Sequence, residues 1–574
     1  MLHRFFAAST LAIALCTAVP SSAQTDAADA ITAPEIEYSM WTLDNGLRVI
    51  AIEDDTTASV TTSMWYDVGS KLDPEGRSGF AHLFEHILSR KTLNMPYNQI
   101  YGLTADVGGT RNASNGPDRT NYFETVPAEY LERMLWTHRE RMAFPVVDEE
   151  VFNRERDVVK EELRQRVLAP PYGRFQRFVL PENAYDTTAY RRPGIGSIEE
   201  LDAATLKDAL AFHEAYYGPD TATLIVAGNF DEANLRALVD EYFADIPRRE
   251  NPLPLELTAE EPERTQPRSI VAKAPNVPLP VRGTLWKGPK TAAEDAAALE
   301  VLAAILARGD NSRLNEALVR SGKAVDASFF YSDGEEAGML AGFAVTNPAA
   351  DAAEVKTILE AEFAHVRSTP VSADELAEAK NELLSSALRS RETARGRAFE
   401  LGEALVSTGD PDAADKRLSA IAAVTIADVQ RVAAKWLDPQ GRVDMAYEQG
   451  EENPAEWANP APFPTFRTLP EPTSTPLSVR PEGERDPLPE PGTKPAVEAP
   501  AIVERTLANG IEVVAAQTGD VPFATMTVLV PGGSRSDERA KQALPIWQLC
   551  LLTRARAAWA RRRSLHASKA SAPM

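Results

Sequence analysis

Chemistry-bearing residues of this chain gather in one short stretch, Gly79-Phe80-Ala81-His82-Leu83-Phe84-Glu85-His86. On a helix, residues four apart lie one above the other, so His82 and His86 can present both imidazoles to a single ion. Glu85 stands beside them, where a carboxylate can take a proton from a metal-bound water and later deliver it to a leaving amine. Phe80, Leu83, Phe84 and Ile87 supply apolar anchoring for such a helix. Two surface histidines at helical spacing would also produce this pattern. The metal reading is preferred because the chain has few histidines to spend, 7 in 574 residues, and the pattern encloses a glutamate.

Zinc needs a third protein ligand, with the fourth position left for water. The stretch from Asp148 to Val167 reads as a helix that offers candidates. Val151, Glu155, Val158 and Glu162 fall on one helical stripe, which puts two carboxylates on an apolar, inward face. Glu161 points elsewhere, among Arg and Lys. Buried carboxylates require a partner or a metal. A salt-bridged acidic helix is the alternative, but beside His82 and His86 the metal reading is favoured.

The elements that must position these residues form a mixed pattern. Leu47 to Ile52 and Val60 to Val68 read as strands, Gly79 to Arg90 and Ala128 to Met142 as helices. Leu224 to Ala227 is a short apolar strand and Asp231 to Phe243 a further helix. The segment Gly108-Gly109-Thr110-Arg111-Asn112-Ala113-Ser114, then Asp118-Arg119-Thr120-Asn121-Tyr122-Phe123, reads as a hairpin around Asn115-Gly116.

These motifs resemble those of the pitrilysin/insulysin family of zinc metallopeptidases, which includes the mitochondrial processing peptidases. That family carries His-x-x-Glu-His and, downstream on another helix, Glu-Arg-x-x-Val-x-x-Glu, as in Glu155-Arg156-Asp157-Val158-Val159-Lys160-Glu161-Glu162. The resemblance implies that Glu162 is the third zinc ligand and that Glu155 is a carboxylate supporting the site. It implies one Zn2+ per chain and hydrolysis of peptide bonds. It also implies that Asn112, Ala113 and Ser114 lie on an edge strand that pairs with extended substrate through main-chain hydrogen bonds. The match has one local departure, Ile87-Leu88-Ser89-Arg90-Lys91-Thr92, where the family commonly has a Phe and a Gly-Thr.

The resulting expectation is an α+β chain of two homologous α/β domains of the processing-peptidase type, followed by a linker and an incomplete third domain. Residues 1–23 read as a signal segment, with Arg4, an apolar run from Phe5 to Val19 and small residues at Ser21-Ser22-Ala23. The metal-bearing domain is expected over 36–248 and an inert second one over 263–448. Residues 450–500, with a proline every few positions, read as an extended linker. From 501 to 552 the chain repeats itself at a constant shift of 464, so that Thr42-Leu43-Asp44-Asn45-Gly46 is echoed by Thr506-Leu507-Ala508-Asn509-Gly510. The same shift puts Asp73 on Asp537, but sets Ile546, Leu549 and Cys550 where His82, Glu85 and His86 stand. Residues 553–574 form a basic tail of no recognised structure, and a frameshift or truncation near Ile546 is the expected reason.

Bulk properties narrow the function classes. A net charge of -24 argues against a nucleic-acid partner, and no stretch is long and apolar enough for a membrane span. Without its signal segment the chain keeps one cysteine, Cys550, too few for a cysteine-built zinc site. The expected location is outside the cytoplasm, most naturally a Gram-negative periplasm. The resemblance implies, as partners, a peptide substrate and a homologous subunit supplying a second half with the family's substrate-orienting Arg and Tyr. Alternative readings are a non-catalytic or partner-dependent subunit of a hetero-oligomeric peptidase, or an inactive fragment.

Overall fold

The computed structural model describes residues 33–517 and 524–529, apart from 251, 258–259, 464–465 and 498–499. The export segment, the repeat beyond residue 529 and the basic tail lie outside the described residues.

Two sheets organise the chain. The first joins β1 (Ser39–Thr42), β2 (Arg48–Glu53), β3 (Ser59–Tyr66), β4 (Thr110–Asn115), β5 (Thr120–Pro127) and β6 (Ala222–Gly228) in the order β1-β2-β6-β3-β5-β4. The second joins β7 (Arg268–Ala274), β8 (Val281–Gly288), β9 (Ala324–Ser332), β10 (Gly338–Thr346) and β11 (Val443–Gln449) in the order β7-β11-β8-β10-β9. In each sheet one pair is parallel, β2 with β6 and β7 with β11, and all other neighbours are antiparallel. The strands β2, β6, β3, β5 and β4 therefore correspond in order to β7, β11, β8, β10 and β9. The expected pair of like α/β domains is what the chain forms. Its central strands are buried at nearly every position, β6 throughout, because helices cover both faces of each sheet.

That cover is reciprocal. One face of the first sheet packs on helices of its own domain, including Leu131–Ala143, Leu206–Tyr216 and Glu232–Phe243. Its other face, through Ile50, Ile52, Trp65 and Ile225, packs on Ala398, Leu401, Ala404 and Leu405 of a helix from the second domain, Ala394–Thr408. Trp65 comes so close that a Cβ on Gly402 would lie 2.5 Å from its ring. In return, the first domain's helical turns Phe175–Val179 and Leu180–Ala184 cover the second sheet. There the Phe175 ring sits 5.3 Å from both Phe343 and Tyr447. Neither sheet is fully buried without a helix from the other.

Among its described residues the proline-rich segment 450–500 is mostly extended, and it is not a free linker. Trp457 is buried, and the Asn459 side chain donates to the Tyr185 carbonyl at 2.8 Å. The buried Arg191 guanidinium donates to the carbonyls of Asn459, Ala461 and Pro462 at 3.0–3.1 Å. Further along, the Arg480 amide donates to Leu93 and the Gly492 amide to Glu129. Proline removes amide donors but leaves acceptors, so the segment forms only the short helical turns Pro454–Trp457 and Glu482–Glu484 and docks along the first domain as a strap.

Beyond the strap, Ile502–Thr506 and Glu512–Ala516 form an exposed hairpin, β12 and β13. Its turn repeats that between β1 and β2. Leu43 donates to Leu47 and Leu507 to Ile511, Gly46 and Gly510 both take positive φ, and Asn45 and Asn509 each accept from the amide two residues on.

Candidate metal and peptide site

The His-bearing helix α1 (Phe80–Ile87) begins where two backbones touch. Gly79 has φ 90 and Gly196 has φ 86, and a Cβ on either would lie within 3 Å of the other strand of chain. The helix start is capped from a distance. Asp73, buried, accepts from the amides of Gly79 at 2.7 Å and Ala81 at 2.8 Å, placing a carboxylate at the positive end of the helix dipole. Phe80, Leu83, Phe84 and Ile87 are buried as expected, which turns His82, Glu85 and His86 to the opposite, half-buried face.

Facing it is α2 (Glu149–Glu162), started by Asp148, whose side chain accepts from the Val151 amide. Here the expected stripe needs a correction. Val151 and Glu155 are buried, but Val158 is exposed and Val159 is buried instead. At about 100° per residue, the buried arc is centred between Glu155 and Val159, so Val158 falls on its rim while Glu162 stays inside it. The two carboxylates point inward together; the valine between them does not.

His82, His86 and Glu162 converge, with one donor atom of each within 4.8 Å of the others. Nε2 of His86 lies 3.3 Å and Nε2 of His82 3.8 Å from the same Glu162 oxygen, Oε2. Zinc ligands at about 2.0–2.2 Å in tetrahedral array stand about 3.4 Å apart, so this set fits that ion with minor side-chain adjustment. A His, His, carboxylate donor set is also one that zinc takes when a position is kept open for water. Nδ1 of His82 is buried without a hydrogen bond, and the other Glu162 oxygen accepts from Arg166 at 2.6 Å.

Glu155 stands behind the cluster, not in it. Its Oε2 faces His86 Nδ1 at 3.5 Å and Arg90 Nε at 2.8 Å, and its Oε1 accepts from the Tyr97 hydroxyl at 2.5 Å. A carboxylate behind a ligating imidazole fixes the ring's orientation and raises its basicity. Burial alone would raise the Glu155 pKa, but His86, Tyr97 and Arg90 outweigh it and hold the group below the usual carboxylate range. For His86, burial pulls the imidazole down, yet Glu155, Glu162 and Glu85 hold it up at about 9. His82 is shifted the other way, by burial and by His86, so it is the more readily neutral of the two. Burial pushes Glu85 up to about 7, with Glu162 adding to the rise, which is the range of a general base near neutral pH.

Asn112, Ala113 and Ser114 lie on β4, the edge of the first sheet, with β5 as its partner. The hairpin is tied to α1 twice. The Tyr122 hydroxyl of β5 donates to the Phe84 carbonyl at 3.0 Å, and Arg111 of β4 donates to Ser89 Oγ, which itself donates to the Glu85 carbonyl.

Several contributing residues carry no sequence signal of their own. Tyr97 and Arg90 reach Glu155 through tertiary packing, and neither belongs to a motif. Asp73 did leave a trace, in its echo at Asp537, but nothing in the spacing reveals a helix cap seven positions away.

Residues 48–195 match the family model for insulinase (peptidase family M16), and residues 203–383 match that for the peptidase M16 inactive domain. The chain belongs to peptidase family M16, the pitrilysin/insulysin peptidases. It is 28% identical over 297 residues to the zinc protease PqqE of Helicobacter pylori, covering 52% of this chain and 67% of that one. It is 27% identical over 226 residues to human insulin-degrading enzyme, which is 38% of this chain but 22% of that much longer relative. Among solved structures, a protease from Helicobacter pylori has the same fold, with a TM-score of 0.69 at 24% identity over 72% of this chain and 100% of that one.

Proposed function

We propose that this chain is a zinc-dependent endopeptidase acting on extended peptides, with His82, His86 and Glu162 as the ligands of one zinc ion. The observation that carries this reading is the approach of both imidazoles to one Glu162 oxygen. Zinc in that cluster would polarise a peptide carbonyl and lower the pKa of water. Glu85, on the same face of α1, takes up the proton and passes it to the departing amine. Glu155 orients His86. Asn112, Ala113 and Ser114 offer main-chain groups on the open edge of β4, so a peptide of variable sequence is held by its backbone. The basic, apolar, small-residue order at the N-terminus supports export, to the periplasm in a Gram-negative cell, and among the described residues no helix is long and apolar enough to cross a membrane.

A second reading, in which activity also requires a homologous half, draws on the exposed hairpin β12–β13. Ile502 is 66% and Val514 67% exposed, whereas the matching β1–β2 turn sits in a six-stranded sheet. A partner subunit that extends the β12–β13 hairpin into a full sheet would account for those surfaces. The test is zinc analysis of the full chain with hydrolysis of a mixed peptide library, alone and with chelator. About one zinc per chain and chelator-sensitive cleavage are expected. Absence of stoichiometric zinc, or cleavage indifferent to chelation, would overturn the assignment. Hydrolysis by the chain alone would remove the need for a partner.

A further inference from the structure

Among the described residues the second domain supplies no ligand to the metal cluster, yet two of its carboxylates reach the tip of the β4–β5 hairpin. That tip, Gly116 to Arg119, closes through the Gly116 amide on the Arg119 carbonyl. The turn Ser70–Leu72 lies across it, with Ser70 donating to Gly116 and Lys71 to Pro117, each at 3.0 Å. The fit is tight enough that a Cβ on Gly69 would stand 2.2 Å from the Pro117 oxygen.

Lys71 is buried, and its ammonium lies 3.1 Å from Asp118 and 2.5 Å from Glu335, a residue of the β9–β10 loop. Asp118 also accepts from the Tyr190 hydroxyl at 2.5 Å and from the Glu335 amide at 3.3 Å. The Glu336 amide donates to the same tyrosine hydroxyl. One position further on, Arg119 donates to Ser114 Oγ at 2.6 Å and grips Glu403 of the second domain with two guanidinium nitrogens. Its guanidinium lies over the Trp65 ring. Successive residues of the tip are thus held by separate second-domain carboxylates, Asp118 through Lys71 by Glu335, and Arg119 by Glu403.

We infer that Glu335, and to a smaller degree Glu403, are positioning residues for the peptide-pairing strand β4, acting across the domain boundary. This rests on the reading of β4 as the substrate strand. A buried ammonium is costly unless paired, and Asp118 is already shared with the Tyr190 hydroxyl and the Glu335 amide. Removing the Glu335 charge weakens the contact that fastens the Lys71 turn, and through Asp118 the hairpin tip, to the second domain. Strand β4 ends at Asn115, the residue before that tip, so its free edge loses its fixed line relative to α1. Such a loss acts on ground state and transition state alike, so it raises KM and leaves kcat.

The test uses the full chain as wild type, Glu335→Gln, Glu335→Asp and Glu403→Gln, with zinc content, peptide kinetics and hydrogen exchange over residues 110–119. Glu335→Gln should raise KM roughly three- to thirtyfold at unchanged zinc and nearly unchanged kcat, and should speed exchange in that segment. Glu335→Asp, which keeps the charge, should recover much of both. Glu403→Gln should show a smaller effect that fades in salt, as exposed pairs do. Unchanged KM and exchange in Glu335→Gln would overturn the inference, as would a fall in kcat together with zinc loss, which would mark Glu335 as a general prop of the fold. A wild type that binds zinc but cleaves nothing would instead count against the reading of this chain as a peptidase on its own. In that case exchange over 110–119 in Glu335→Gln still decides the positioning role, faster exchange supporting it and unchanged exchange overturning it.

Discussion

The first and second sheets share one strand plan, but the helix that follows their matching strands differs in kind. After β3 the first domain places Phe-Ala-His-Leu-Phe-Glu-His-Ile, and after β8 the second places Ala296–Ala307, Ala-Ala-Ala-Leu-Glu-Val-Leu-Ala-Ala-Ile-Leu-Ala. The second helix is buried through alanine, leucine and valine, and its one charged residue, Glu300, turns to Arg417. Packing needs no more than this apolar periodicity. The first helix gives up part of its apolar surface to two imidazoles and a carboxylate. It also requires a fully buried Glu155 that only His86, Tyr97 and Arg90 make tolerable. The comparison teaches that the plan of the domain is set by burial, while the chemistry is an addition that burial opposes and that side chains from four separate segments must support.

If that contrast is right, the largest effects belong to the first helix. His82→Ala or His86→Ala should abolish stoichiometric zinc, and full occupancy by metal analysis in either variant would end the ligand assignment. Glu85→Gln should bind zinc normally and lose about 10²–10⁴ in rate, because it removes the base and no ligand. Glu300→Gln, on the matching helix of the second domain, should change neither zinc content nor rate.

The reciprocal cover is a point where the two domains should behave alike. Phe175→Ala should cost about 3–5 kcal/mol and Leu401→Ala about 2–5 kcal/mol, since each empties the face of the other domain's sheet. Denaturant unfolding should remain a single transition in both variants, shifted to lower midpoint. Two separated transitions would show that each domain holds its own sheet and would break the symmetry described here.

Much of this was legible in the sequence, and for physical reasons. The spacing of His82, Glu85 and His86 is a property of the helix itself, and so is that of Glu155 and Glu162, which stand about two turns apart and so share the inward arc of one helix. Sequence pattern located β2, β3 and β6 to within two residues because β2 and β6 carry apolar runs and β3 is rich in β-branched and aromatic residues. Val158 was misplaced because a stripe drawn through four positions leaves the centre of the arc undetermined, and packing against α1 chose Val159. The strap misled for a different reason. Its prolines limit it to short helical turns, but its carbonyls found Arg191, a partner more than 260 positions away in sequence. The grip of Glu335 on Lys71 spans a similar distance, and no local pattern announces it.

A smaller effect separates the ligands from the residue behind them. Glu155→Gln keeps all three donor atoms, so it should lower zinc affinity or activity by about 10–100-fold rather than abolish either, measured by competition against a chelator of known affinity.

The finest test concerns the proton that this carboxylate holds. In the metal-free chain, burial disfavours a charged His86, but Glu155, Glu162 and Glu85 prevail and keep its pKa at about 9. Zinc binds the neutral imidazole, so at neutral pH it must expel that proton. Below about 9 the protonated form competes with the metal, and apparent affinity should rise about tenfold per pH unit, levelling off above. His82, whose pKa burial lowers, adds nothing to this slope at neutral pH. In Glu155→Gln the carboxylate facing Nδ1 is gone, the His86 pKa falls, and the slope near neutral pH should flatten. Titration calorimetry in buffers of different ionisation enthalpy counts the protons directly. The wild type should release close to one more proton per zinc than Glu155→Gln. Equal release from the two would mean that Glu155 does not set the charge of His86, and its place would then be structural, like that of Glu300 in the second domain.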